Sequence, residues 1–114
     1  MLITVLKSKI HMATITSAEI HYVGSIAIDK KLIKAAGLLP GEKVAVLNFD
    51  NGQRFETYVI EGGTGEIGLR GPAARLGKIG QKLIILSYAL MTPAEYKKFK
   101  AKIVFVDEKN TARK

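Results

Sequence analysis

The segment Tyr22-Val23-Gly24-Ser25 puts a hydroxyl directly after a residue that can take backbone angles closed to others. If the fold strains Gly24, the Ser25 oxygen can attack the Gly24 carbonyl carbon and convert the peptide bond into an ester. Strain at the site would lower that barrier. Elimination from the ester releases a chain ending at Gly24 and leaves dehydroalanine at residue 25, which hydrolyses with loss of ammonia to a pyruvoyl group. Gly-Ser is also an ordinary turn pair, so the dipeptide alone leaves both readings open.

Other chemistry is poorly supplied. With no cysteine there is no disulfide, thiol nucleophile or thiolate metal site, and His11 and His21 stand ten residues apart, so no metal is expected. Gly-x-Ser-x-Gly, Walker and His-Glu-x-x-His patterns are absent, as are clustered carboxylates. Gly62-Gly63-Thr64-Gly65 precedes no convincing helix and has no lysine, so it reads as a flexible hairpin rather than a phosphate cradle. Eighteen Lys and Arg against ten Asp and Glu give a net charge of +8, which favours anionic partners. Residues 95–114 hold seven basic and three acidic residues, so +4 of that excess lies near the C-terminus and reads as solvated surface.

The elements that must position Ser25 are short. At 114 residues, 47% of them hydrophobic, the chain is expected to form one domain, burying about two-thirds of its unfolded surface. Leu2–Leu6 and Ala13–Thr16 predict two short strands or one bent one, and Tyr22–Ile28 another that Gly24 interrupts. Asp29 can cap a helix over Lys30–Ala36 that Gly37 stops, and Leu39-Pro40-Gly41-Glu42 forms a turn. Strands are expected at Lys43–Phe49, with Val44, Val46 and Phe49 inward, and at Arg54–Ile60, joined by Asp50-Asn51-Gly52. A short strand Glu66–Leu69 precedes a helical turn over Pro72–Leu76, and the apolar run of Lys82–Ala89 predicts burial on both faces. Thr92-Pro93-Ala94-Glu95 caps a turn of helix, Lys102–Val106 is the last strand, and Asp107–Lys114 is expected to fray. The pattern is that of a small, mainly β barrel or sandwich with one or two short helices. A secretory leader and a membrane-spanning run are both lacking, so a cytoplasmic protein with no membrane partner is expected.

The residues around the Gly24-Ser25 pair carry a likeness. Lys7-Ser8-Lys9-Ile10-His11 and Ala18-Glu19-Ile20-His21-Tyr22-Val23-Gly24-Ser25-Ile26-Ala27-Ile28-Asp29 closely resemble the N-terminal signature of the pyruvoyl-dependent aspartate 1-decarboxylases. Leu39-Pro40-Gly41-Glu42, Asn51-Gly52-Gln53-Arg54 and Thr57-Tyr58-Val59-Ile60 recur at the family's spacing, so the likeness covers roughly residues 1–92. The resemblance implies a six-stranded double-psi β-barrel, assembled as a homotetramer with its sites at subunit interfaces. It also implies a precursor that cleaves itself into residues 1–24 and 25–114. The pyruvoyl group derived from Ser25 would serve in place of any external cofactor. It would form a Schiff base with L-aspartate and yield β-alanine and CO2, for pantothenate and coenzyme A synthesis.

Residue by residue, the resemblance makes Ser25 the pyruvoyl precursor and Tyr58 the donor of a proton to the substrate carbanion. A phenol keeps its proton at neutral pH and can give it up. Thr57 matches a position tied to self-processing and substrate, and Gly24, His11 and Tyr22 match positions near the cleavage point. Lys9 and Arg54 match the cations that hold substrate carboxylates, a role to which the planar arginine fork is suited. Gly71, Pro72 and Ala73 match a loop that meets substrate through its backbone. That loop departs from the family's Asn-Gly-Ala-Ala-Ala: Arg70 stands for the amide and either brings another cation to substrate or points outward, while Pro72 has no backbone donor.

A different class, a nucleic-acid-binding β-barrel, draws on the net charge, and Leu39–Val44 within the segment Leu32–Val46 resembles swapped-hairpin regulators of the AbrB type. Against it, aromatic residues make up only 7% of the chain and no recognition helix or basic arm is evident, so no nucleic-acid partner is expected.

Overall fold

The computed structural model describes residues 1–113. Eight strands form one mixed sheet in the order β2-β6-β3-β5-β4-β7-β1-β8. They span Ile3–Thr14 (β1), Ser17–Glu19 (β2), Ser25–Asp29 (β3), Lys43–Asn48 (β4), Arg54–Gly62 (β5), Ile67–Arg70 (β6), Lys82–Met91 (β7) and Lys102–Phe105 (β8). The count exceeds the six expected because the short strands β2 and β8 extend the two ends of a six-strand core. The architecture is the small barrel-like β fold that the turn spacing predicted. No helix among the described residues is long and apolar enough to cross a membrane.

The opening is one long bent strand. β1 stays paired with β7 from Ile3 to Thr14 by absorbing register shifts at Leu6/Ser8 and His11/Ala13, the second at Met12 with φ 69°. An extra residue in one strand bends it and raises its twist, which lets a long strand follow a curved sheet. The helix α1 (Lys30–Ala36) falls where expected: Asp29 accepts from the Lys31 N–H at 2.8 Å, Gly37 closes it at φ 68°, and Leu32, Ile33 and Ala36 are buried. α2 (Pro93–Lys98) starts on a complete Thr92–Glu95 capping box. The core joins these faces through Ile10, Ile15, Ile26, Ile28, Leu32, Val44, Val46, Val59, Ile67, Leu69, Leu83 and Ile85.

Three expectations fail for identifiable reasons. In β7 the strand period shows through the apolar run: Leu83 and Ile85 are buried, but Ile84 and Leu86 only partly so. The same alternation in β4 turns Asn48 inward and Phe49 out. Asn48 is satisfied there, donating to the Leu76 carbonyl and Gln81 and accepting from the Asp50 and Asn51 N–H groups, so it organises the hairpin turn from inside. The tail, finally, is tied down through Arg113. Asn110, 1% exposed and at φ 60°, accepts from the Thr14 N–H at 2.7 Å and donates to the Thr14 and Gly65 carbonyls at 2.9 Å. Asp107 accepts from the Lys109 and Thr111 N–H groups, and the Arg113 N–H donates to the Phe105 carbonyl.

Candidate active site

β3 is buried along its whole length because it is paired on both sides, parallel to β5 and antiparallel to β6. Ser25, its first residue, is 2% exposed and lies opposite Arg70. The ladder to β5 begins at Ile26–Val59, so one step back brings Ser25 beside Tyr58 and two steps bring Gly24 beside Thr57. The Ser25 hydroxyl donates to the Val23 carbonyl at 3.1 Å, which holds its oxygen back toward the residues that precede it.

The strained backbone expected at Gly24 lies elsewhere. Gly24 is outside the left-handed region, whereas Gly71 takes φ 67°. A Cβ on Gly71 would stand 2.8 Å from Gly24 Cα, 2.9 Å from Gly24 N and 2.9 Å from the Tyr22 carbonyl oxygen. Glycine at 71 therefore lets the loop after β6 lie directly on the Gly24 backbone, at an angle other residues adopt only at a cost. Pro72 completes the contact, its Cδ 3.4 Å from where a Gly24 Cβ would be.

Between this loop and β5 opens a cavity of about 320 Å³, lined by Gly24, Phe55, Glu56, Thr57, Tyr58, Arg70, Pro72, Ala73 and Leu76. It gathers Gly24, Thr57, Tyr58, Pro72 and Ala73 from the expected site residues, with Gly71 and Ser25 immediately behind. Thr57 and Tyr58 leave β5 on opposite faces: Thr57 is half-buried beside Phe55, and Tyr58 stands at the rim, 38% exposed. The volume suits a small molecule of amino-acid size.

Other expected residues lie apart. Arg54 is exposed at the start of β5, four residues or about 13 Å along the strand from Tyr58. Lys9 lies on β1, three strands from β5 in the sheet order, and is not among the residues lining the cavity. Its register partner on β8 is Ile103, while His11 pairs with Phe105 and meets that ring edge-on at 5.5 Å. His11 Nδ1 is buried without a hydrogen-bond partner among the described residues.

Arg70 resolves the alternative that its sequence position left open. Its guanidinium bonds Glu66 at 3.0 Å, reaches Glu19 at 3.5 Å and lies over the Tyr22 ring, 4.9 Å from the centroid. It neither points outward nor offers an unpaired charge to the cavity. Phe55, Leu76 and the carboxylates of Glu19 and Glu66 are functional surroundings that sequence reasoning missed. The Glu66–Arg70 spacing of four gives no usable signal, since it brings side chains together on a helix and this segment is β.

The family model described as aspartate decarboxylase matches residues 1–113. This chain belongs to the aspartate decarboxylase family. The match takes in β8 and the tail, which the local likeness over residues 1–92 had left out. Relatives named aspartate 1-decarboxylase include one from Caldicellulosiruptor saccharolyticus, 60% identical over 96% of this chain and 88% of its own length. Another from Carboxydothermus hydrogenoformans is 55% identical with the same coverages, and one from Campylobacter jejuni is 56% identical over 98% of this chain and 90% of its own. Identity of this order across a whole small domain leaves little room for a different family scaffold. The Leu32–Val46 segment, which suggested a nucleic-acid binder, is part of that scaffold: α1 packs on β1, β3, β5 and β8 of its own chain.

Proposed function

We propose that the chain is made as a precursor that breaks itself between Gly24 and Ser25 and then, as a cytoplasmic enzyme, decarboxylates L-aspartate to β-alanine and CO2. The observation that carries this reading is the place of Gly24–Ser25, clasped between Thr57–Tyr58 on one side and Arg70–Ala73 on the other at the wall of the cavity. Family membership supplies the chemistry's name.

In the precursor Ser25 Oγ attacks the Gly24 carbonyl carbon, the C–N bond breaks, and an ester and an amine form. Thr57, which lines the same cavity as Gly24, is assigned the hydrogen bond to the carbonyl oxygen as charge collects there. Elimination then leaves the Gly24 carboxylate and a residue 25 that hydrolyses to the pyruvoyl group. Ser25 fits this fate, because it follows Gly24, which lines the cavity together with Tyr58. A pyruvoyl group at that position supplies a ketone that condenses with the substrate amine and withdraws the electron pair left by CO2.

The remaining steps fall to the chain's own side chains. Tyr58 at the rim delivers a proton to the carbon that has lost CO2. Pro72 and Ala73 form part of the opposite wall, with Gly71 behind them. Arg54 and Lys9 are assigned to the two substrate carboxylates; because neither lines the cavity within one chain, both are assigned to it from neighbouring copies in a homotetramer. No external cofactor is required.

Denaturing mass spectrometry tests the reading. It should show residues 1–24 and 25–114 as separate species, the larger one gaining mass when borohydride is added with aspartate. A chain that stays whole and releases no CO2 from aspartate overturns it.

A further inference from the structure

The segment leading into the Gly24–Ser25 bond has little packing of its own. Tyr22 is 57% and Val23 72% exposed, and the one backbone bond within it runs from the Tyr22 N–H to the Ile20 carbonyl at 3.0 Å. A free segment of this kind would sample many conformations, few of them with the Ser25 oxygen aimed at the Gly24 carbonyl. What lies against it is Arg70, whose guanidinium covers the Tyr22 ring at 4.9 Å.

Arg70 is itself fixed. Its side chain is 14% exposed and lies between Glu66 and Glu19, which come from neighbouring strands because β2 and β6 pair at Glu19–Arg70. Glu66 is anchored in turn, its other oxygen accepting from the Gly63 N–H at 2.8 Å. Two carboxylates around one guanidinium leave the cluster with a net charge of −1, which gives the carboxylates of a substrate no attraction. They do hold the guanidinium plane at a set angle, as a planar fork allows and an ammonium would not.

We propose that Arg70 is a positioning residue for self-cleavage, pressing Tyr22 and so the Tyr22–Gly24 backbone onto Gly71 and Pro72, and acting through Tyr22 rather than by holding substrate. This rests on the self-cleavage proposed above; Arg70 donates no proton and forms no bond in that step.

Timed cleavage of freshly purified precursor, followed by denaturing mass spectrometry, tests it. R70M and Y22L should each slow cleavage by about tenfold, equivalent to about 1.4 kcal/mol of cation–aromatic contact. The double variant should be no slower than either alone, because both remove the same contact. Y22F keeps the ring and should restore most of the rate lost in Y22L, while R70K, without the planar fork, should not match the parent. Because Tyr22 is exposed, Y22L reports on the contact whatever R70M does to folding. R70M or Y22L cleaving at the parent's pace overturns the proposal, as does an R70M that cleaves normally but needs more aspartate to reach half its maximal rate. A parent chain that never cleaves removes the self-cleavage reading itself, a result distinct from parent and variants cleaving alike.

Discussion

At residue 25 the hydroxyl is the one group that alanine removes, and it is buried with a single partner, the Val23 carbonyl. Ser25→Ala should therefore fold as the parent does, lose at most about 1 kcal/mol of stability, and remain one chain on a denaturing gel. Cleavage of that variant would assign the nucleophile elsewhere. Tyr58→Phe separates the two stages of the chemistry. The residue stands at the cavity rim and the proposed cleavage gives its hydroxyl no part, so the variant should process fully. Removing a proton donor should lower its turnover of aspartate by about 10²–10⁴-fold, and turnover near the parent's would assign protonation to another group. Legibility at this scale follows from locality. The proposed roles of Ser25, Thr57 and Tyr58 come from a likeness carried by their neighbours in sequence, whereas the partners of Arg70 come from residues 19 and 66, and Glu19 reaches it only through the pairing of β2 with β6.

Among elements, the turn after α1 is held to the sheet by backbone bonds between Gly41–Glu42 and Val59 and by one side chain. Glu42 accepts from Lys7 Nζ at 2.7 Å, from Ser87 Oγ at 2.5 Å and from the Leu39 N–H at 3.1 Å, joining β1, β7 and its own turn. Burial alone would raise its pKa, but the hydrogen bonds from Lys7, Ser87 and Leu39 outweigh burial and hold it below the usual 4.5. A carboxylate whose pKa is depressed in the folded state binds protons more readily when unfolded. Its stabilisation is therefore complete at neutral pH and is lost as pH falls through the folded value, below 4.5. Glu42→Gln should cost about 1–2 kcal/mol at pH 7 and flatten the acid limb of stability, read by urea unfolding at neutral and acid pH. An unchanged acid limb would place the acid-sensitive carboxylate elsewhere.

The tail poses the same question in another form. Asn110→Ala deletes one acceptor and two donors that join residues 14, 65 and 110, and it forces alanine into a left-handed angle. The expected loss is about 2–4 kcal/mol in thermal or urea unfolding. A loss under about 0.5 kcal/mol, ordinary for a surface site, would mean that the tail is not part of the cooperative fold. The sequence could not announce this anchor. Asp107-Glu108-Lys109-Asn110 reads as polar surface, and its partner Thr14 is 96 residues away. Where the stop and start signals are local, as at Asp29, Gly37 and Thr92, the reading of the chain and the structure coincide. Where a bulge keeps β1 continuous through Met12, or the strand period exchanges Asn48 for Phe49, tertiary pairing decides.

For the molecule as a whole, Lys9 and Arg54, the two cations proposed to hold substrate, do not converge on the cavity of one chain. Lys9 shares the outward face of β1 with His11, and their neighbours on β8, Ile103 and Phe105, are exposed apolar residues, as are Leu2, Tyr88 and Leu90. Apolar surface on that scale is normally covered, and a closed assembly of identical chains covers it with its own symmetry mates. If Lys9 of one copy completes the cavity of another, inactive variants should complement each other. Lys9→Met leaves Ser25 and Tyr58 intact, and Tyr58→Phe leaves Lys9 intact. Co-expressed and randomly assembled, the two should rebuild about one site in four from an intact Lys9 and an intact Tyr58 on different chains. Activity near a quarter of the parent's, from two variants each nearly inactive alone, is the expected result. If Lys9 and Tyr58 served the same site from one chain, every mixed site would carry one defect or the other. The mixture would then show only the average of the two variants.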